Sequence, residues 1–383
     1  MARQIALVTL NQIDPYFRDG GSRSALNYLR ALESQGAEVT AFSFVCADYE
    51  PIRFANTLAD PGASITRTAE TCATKLRGVE FIETIVPVTL AEQNARQPAI
   101  LQAMLQTLAQ HRVEFVLTLG EGYVPLLAGW LAKLPGAHVF QSPQHVQSFQ
   151  RNAAYQPMLR TRHVIANSDW MRAHVERELH IAAHTWHPPH NLAPFVAARV
   201  VPRTYAIGFS SSQGAVKGDD LVAEIITRVP EFQFIIAGGK FTRGDVNAAN
   251  VTYLGHVSQM QNFYRQIDVL IVPSIWQEAF GLVILEATAN GLPVIANRRG
   301  GIPEALGDSG VLIEFDPDHT NLGALADEYA RTIRHLLTDA RVYENYRQAA
   351  FARTKTFEQA KETQAKQMYC LFDQPVTPDR KTN

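Results

Sequence analysis

Short β-branched runs alternate with stretches of helical periodicity along most of this chain. Ile5-Ala6-Leu7-Val8-Thr9-Leu10 has the length of a strand, and Ser22 to Gln35 carries Leu26, Leu29 and Leu32 on one helical face. Ser22 is positioned to cap that helix, and Gly36 stands where a helix end takes a left-handed residue. Further strands are predicted at Glu38 to Val45, Val79 to Val86, Val113 to Leu119, His138 to Gln141 and His163 to Asn167. Helices are predicted near Pro98 to Gln110, Val124 to Lys133 and Ser168 to Leu179. Strands separated by helical crossovers imply a doubly wound parallel sheet. Asp48 to Gly78 is the least periodic portion and is predicted to be a loop over this first domain.

Trp186-His187-Pro188-Pro189-His190-Asn191 interrupts the pattern, because consecutive prolines fit neither a helix nor a central strand, and a linker is predicted from there to Pro202. Strand-length runs resume at Tyr205 to Phe209, Phe232 to Ala237, Val251 to Leu254, Val269 to Val272, Pro293 to Ala296 and Val311 to Glu314. Leu322 to Leu371 is helical in composition, and Pro375 to Asn383 is a polar tail expected to fray. The expected architecture is α/β, with two Rossmann-like doubly wound domains at residues 1–191 and 202–354. A helix at 355–373 is expected to return to the first domain. Ligands of such sheets bind outside the carboxyl ends of the strands, which predicts a cleft between the domains.

Composition narrows the function. The 383 residues hold 35 Lys and Arg against 37 Asp and Glu, so the basic footprint of a nucleic-acid binder is absent and no nucleic-acid partner is expected. Three cysteines without a CxxC pair suggest neither a disulfide framework nor a zinc site, and a cytoplasmic setting fits them. The longest apolar run, Val124 to Ala132, is far short of the ~20 residues that span a bilayer, so no integral membrane segment is expected. The first strand lacks the GxGxxG dinucleotide fingerprint, and Gly120-Glu121-Gly122 lacks its third glycine, which disfavours a hydride-transfer enzyme.

The candidate chemistry lies in Pro273-Ser274-Ile275-Trp276-Gln277-Glu278-Ala279-Phe280-Gly281-Leu282-Val283-Ile284-Leu285-Glu286-Ala287, read as loop then helix after the strand Asp268 to Val272. Gly281 at the helix start lets backbone amides approach a ligand, and the positive end of the helix dipole favours an anion such as a diphosphate. Glu278 and Glu286 are carboxylates able to accept hydrogen bonds from sugar or ribose hydroxyls.

This stretch resembles the signature of retaining glycosyltransferases of family 4, which have the GT-B fold: two glutamates in an E-x7-E spacing around an aromatic-glycine pair. The pattern continues through Gly291-Leu292-Pro293-Val294-Ile295-Ala296 and Gly300-Gly301-Ile302-Pro303-Glu304. Gly20-Gly21 resembles the family's phosphate-side glycine loop, Lys217-Gly218 its phosphate-binding lysine, and Ile165-Ala166-Asn167-Ser168 its strand-to-helix junction late in the first domain. The resemblance implies that Glu278 contacts donor-sugar hydroxyls and Glu286 the ribose, while amides around Phe280, Gly281 and Leu282 hold the diphosphate with Lys217. Gly20 and Gly21 would touch the donor, and backbone near Gly239 and His256 would read the base. The implied reaction moves a hexose-type sugar from a nucleotide diphosphate sugar to an acceptor hydroxyl, with retention, with no metal or other cofactor, and with a small molecule or oligosaccharide as acceptor.

Two departures from the family pattern stand out. Ser210-Ser211-Ser212-Gln213-Gly214 lacks the arginine the family carries before its lysine, leaving Arg243, Arg298 and Arg299 as substitutes. Gln141-Ser142-Pro143-Gln144-His145 stands where the family ends a strand with a sugar-facing histidine, so His145 is the catalytic candidate from a shifted position, with Glu121 as a second cleft candidate. His187 and His190 flank prolines without metal-ligand companions and read as linker residues, and Trp276 is a candidate for stacking on a sugar. The competing functions are a noncatalytic nucleotide-sugar-binding or scaffold protein, and a GT-B relative such as a phosphorylase or nucleotide-sugar epimerase.

Overall fold

The first half forms β1 (Gln4–Thr9), β2 (Glu38–Cys46), β3 (Ser64–Arg67), β4 (Thr71–Leu76), β5 (Val79–Val86), β6 (Phe115–Leu119), β7 (Gly136–Phe140), β8 (His163–Ala166) and β9 (His184–Thr185), of which β3, β4 and β9 are not among the predicted runs. The strand-length runs of the second half become β10 (Ala206–Ser211), β11 (Gln233–Gly238), β12 (Val251–Gly255), β13 (Val269–Val272), β14 (Val294–Asn297) and β15 (Gly310–Ile313). The structure is a computed structural model that describes residues 2–9, 20–46, 64–67, 71–76, 79–86, 92, 98–99, 102–103, 105–106, 108–111, 113–119, 131, 133–196, 203–211, 214–238, 248–318 and 321–376. The chain divides into two units, one formed by Met1–His190 with Glu362–Asn383 and the other by Asn191–Lys361.

The first unit holds a nine-stranded sheet in the order β3-β4-β5-β2-β1-β6-β7-β8-β9. Strands β6 and β7 are buried at every position, as expected of parallel strands covered on both faces. The helix Gly20–Glu33 lays Leu29 and Leu32, both fully buried, on the core with Ile5, Leu7 and Leu117, while Leu26 is partly buried against them. This core also takes Ala365, Met368, Leu371 and Phe372 from the end of the chain. Ser168 caps the helix Asp169–Leu179 by accepting from Met171 N at 2.9 Å, so the Ile165-Ala166-Asn167-Ser168 run does pass from strand to helix.

Two expectations are corrected here. Part of the Asp48 to Gly78 segment is not loop: β3 pairs antiparallel with β4, and β4 antiparallel with β5, extending the sheet edge. Its threonine-rich alternation carries too few large apolar residues to register as a strand by hydrophobicity. The first helix begins at Gly20, two residues before Ser22, the expected cap position. The Pro-rich stretch holds the division between the two units, after His190, and the residues on either side of it are packed. Trp186 is fully buried in the first core, edge-to-face with Tyr28 at 4.7 Å between ring centroids, and Leu192 and Phe195 are buried in a core of the second unit. His190 meets Asn27 through Nδ1 at 3.0 Å.

The second unit's sheet runs β12-β11-β10-β13-β14-β15, with every pairing parallel. Alternate residues of β13 part between its two faces. Val269 and Ile271 join the core beneath the helices Asp219–Arg228 and Leu322–Thr338, and Leu270 joins the core of the helix Leu282–Ala289. The latter helix is buried at every position from Ile284 to Ala289, as suits one that is apolar nearly all round. The last helix, Ala340–Leu371, has 32 residues, of which those up to Lys361 belong to the second unit and those from Glu362 to the first.

Candidate functional site

Because all six strands of the second sheet are parallel, their carboxyl ends share one edge. From β10 the chain builds outward to β11 and β12, and from β13 in the opposite direction to β14 and β15. The boundary between β10 and β13 is therefore the switch point, where neighbouring loops leave the sheet in opposite directions and a ligand finds a crevice. Lys217 follows β10 and Ser274 to Glu278 follow β13, so the sheet order brings these two segments together.

The contact is direct. Lys217 Nζ donates to Glu278 Oε1 at 2.5 Å, and the Ser274 hydroxyl donates to the same oxygen at 2.8 Å. Both charged side chains keep some access to solvent, 28% for Lys217 and 16% for Glu278. Backbone contacts hold the two loops: Trp276 N donates to Val216 O at 3.2 Å, and Gly301 N donates to Glu278 O at 2.7 Å. Two glycines make the approach possible. Gly218 has φ +85°, and a Cβ there would lie 2.1 Å from Pro273 O; Gly300 has φ +56°, and its Cβ would lie 2.1 Å from Glu278 O. Any side chain at either position would push the lysine or the glutamate segment away.

The helix Leu282–Ala289 begins immediately after Gly281, whose φ of +105° suits only glycine well. Its amino end presents backbone amides and the positive end of the dipole beside the Glu278 loop. Phe280 is buried in the core, so backbone is what it offers a ligand. Glu286, one turn and a half further on, is fully buried, and its Oε2 accepts from the Tyr264 hydroxyl at 2.8 Å. Leu282 is half-buried, and His256 is exposed just after β12. Gly239 and Arg243 lie outside the described residues.

Of the other substitute cations, Arg298 is exposed and paired with Glu314 at 2.5 Å. Arg299 Nε instead donates to Ile275 O at 3.1 Å, which ties its guanidinium to the Glu278 loop, and burial draws its pKa down. Trp276 is exposed on that loop. Asp219 and Asp220 open the helix Asp219–Arg228, with Asp219 Oδ1 accepting from Asp220 N at 2.9 Å. Among the described residues, no group of three or more His, Cys, Asp or Glu side chains could hold a metal.

Residues 205–339 match the family described as "Glycosyl transferases group 1". The matched segment holds the whole of the second sheet, from β10 to β15. Its curated relatives include a D-inositol 3-phosphate glycosyltransferase of Corynebacterium jeikeium strain K411, 36% identical over 139 residues, which are 30% of this chain and 33% of the relative. Another of that name, from Mycobacterium sp. strain KMS, is 29% identical over 190 residues, 45% of this chain and 41% of the relative. The chain thus spans about a third to two-fifths of the length of the curated relatives it matches. Among solved structures, a sucrose-phosphate synthase from Thermosynechococcus elongatus superposes with TM-score 0.71 at 20% identity, covering 97% of this chain and 99% of that one. Anabaena Alr3699/HepE in complex with UDP and glucose does so with TM-score 0.69 at 16% identity, covering 96% and 99%. The fold is GT-B.

The remaining candidates lie outside the matched residues. Gly20 and Gly21 open the helix after β1, and β1 and β6 flank the switch point of the first sheet. Glu121, after β6, lies outside the described residues. The end of β7 is occupied by Gln141, whose Nε2 donates to Ser24 Oγ at 2.8 Å, while His145 sits half-buried in the helix Pro143–Arg151, capped by Ser142. Sequence reasoning missed Ser274 and Tyr264 as partners of the two glutamates. Ser274 could have been found from its place at the end of a central strand. Tyr264 lies 22 residues from Glu286 in a different element, with no local signal.

Proposed function

We propose that this chain transfers a hexose-type sugar from a nucleotide diphosphate sugar to an acceptor hydroxyl, with retention and without a metal ion. The observation that carries the reading is the Lys217–Glu278 pair at the switch point of a group 1 glycosyltransferase domain. Cleavage of the donor leaves growing negative charge on the departing phosphate. An ammonium group and fixed amides at a helix start stabilise that charge where it develops. Lys217 supplies the ammonium, Gly281 and Leu282 the amides, and Arg299 the second cation in place of the absent arginine. Glu278 accepts hydrogen bonds from sugar hydroxyls. Glu286, oriented by Tyr264, reads the ribose hydroxyls, and since it is fully enclosed the side chains over it part when the nucleotide binds. His145 stays the first unit's candidate for a sugar contact, with Gln141 beside it at the strand end. The acceptor is a small molecule or oligosaccharide.

Relatives named as glycosyltransferases and a neighbour solved with UDP and glucose support a nucleotide-sugar donor. Thermal unfolding with UDP, GDP, ADP, TDP and their sugar conjugates, with and without EDTA, tests the reading. A ligand at about 100 times its Kd adds about 2.7 kcal/mol to stability. One base standing out regardless of EDTA is the expected outcome. Stabilisation abolished by EDTA would overturn metal independence, and no stabilisation by any ligand would favour a noncatalytic protein.

A further inference from the structure

We infer that Ser274 is a positioning residue for Glu278, holding one carboxylate oxygen so that the other is free to read the donor sugar. The inference rests on the donor-site reading above. Glu278 Oε1 takes both available donors, the Lys217 ammonium at 2.5 Å and the Ser274 hydroxyl at 2.8 Å. Among the described residues, no hydrogen bond reaches Oε2, although the side chain is only 16% exposed. The carboxylate is therefore gripped on one side and open on the other.

Ser274 has one hydroxyl proton and three acceptors within reach: Glu278 Oε1 at 2.8 Å, Val216 O at 3.3 Å and Trp276 O at 3.5 Å. The shortest contact is also the one to a charged acceptor, so the proton belongs there. The serine itself is firmly seated. It is 1% exposed, and its carbonyl accepts from Asn297 Nδ2 at 3.2 Å, while Asn297 Oδ1 accepts from the Tyr329 hydroxyl at 2.9 Å. This chain anchors the end of β13 to β14 and to the helix Leu322–Thr338.

The division of labour follows from what binding must do. A diphosphate competes with Glu278 for Lys217 and draws the ammonium away from the carboxylate. Once the lysine leaves, Ser274 is the donor that still orients Glu278 toward the sugar. Loss of the hydroxyl should therefore weaken recognition of the sugar and spare recognition of the diphosphate. A serine that merely supported the fold would affect both ligands alike.

Titration calorimetry of the full chain with UDP, GDP and ADP, each paired with its glucose conjugate, reads the difference. For the pair that the wild-type protein binds, Ser274→Ala is expected to weaken the glucose conjugate about tenfold, as for a lost hydrogen bond to a charged group, and to leave the bare nucleoside diphosphate within about twofold. Ser274→Thr retains the hydroxyl and is expected to restore the difference. Equal weakening of both ligands by Ser274→Ala, or no weakening of either, overturns the positioning role. Glu278→Gln separates this from the reading beneath it. If that variant weakens the glucose conjugate and Ser274→Ala does not, the inference alone fails. If Glu278→Gln changes nothing, or the wild-type protein binds none of the pairs, the donor-site reading fails and takes the inference with it.

Discussion

Glycine at position 300 is set by a neighbour's backbone. With φ +56° and Glu278 O only 2.1 Å from where its Cβ would sit, Gly300 is both strained and crowded against substitution. Gly36 shares the positive φ, at +90°, but has nothing within 4 Å of its would-be Cβ. Alanine at either position pays a backbone strain of about 1–3 kcal/mol. Gly300→Ala is expected to lose more stability than Gly36→Ala in urea unfolding, and in addition to lose nucleotide-sugar binding, because relief of the clash moves Glu278. Equal losses in the two variants would show that the close approach at Gly300 carries no weight.

In β7, His138 is fully buried against Phe140 and Phe149, with ring centroids 4.6 Å away. Its Nδ1 meets the Thr118 hydroxyl at 2.8 Å. Burial first, then the charges of His145 and Arg162, hold its pKa well below the ordinary histidine value of 6.5. His163, His174 and His184 in the same unit are shifted down as well, each mainly by burial. A histidine kept neutral in the native state and free to protonate when unfolded contributes stability that is fully present above about pH 6.5 and fades as pH falls below it. Native stability of the first unit is therefore expected to drop between pH 7 and 5, and His138→Gln to flatten that slope. An unchanged slope in the variant would remove His138 as its source. Arg162, buried with its guanidinium donating to Val116 O and Leu131 O at 2.8 Å each, fills the space above Gly136, whose Cβ would meet its Nη1 at 2.0 Å. It is a structural cation, and burial draws its pKa down to about 9.

Across the whole chain, two doubly wound units each have a switch point, β1/β6 in the first and β10/β13 in the second. The recognisable sequence signature falls almost entirely in the second, within residues 205–339. Hydrogen exchange with a bound nucleoside diphosphate is thus expected to gain protection at 214–218, 273–282 and 297–302, the segments that share the carboxyl edge of the second sheet. Protection spread evenly over both sheets would argue against a donor site confined to that edge. No described helix is long and apolar enough to cross a membrane.

Much of this was legible in the chain. Strand runs such as Val269 to Val272 and the place of Gly281 at a helix start follow from local chemistry, because apolar periodicity and left-handed backbone are decided within a few residues, whereas the crowding that demands glycine at 218 and 300 comes from Pro273 and Glu278, distant in the chain. The strands Ser64–Arg67 and Thr71–Leu76 were not legible, since their short runs carry too few large apolar residues to stand out by hydrophobicity. Nor was the packing of Trp186, which reads as part of a linker until the core closes around it. The two pairings at the candidate site were also hidden. Lys217 lies 61 residues from Glu278, and Tyr264 lies 22 from Glu286. Residue types could nominate each group, but sheet order brought them within hydrogen-bond distance, because which strands become neighbours is settled by the burial of the whole sheet and by no single segment of it.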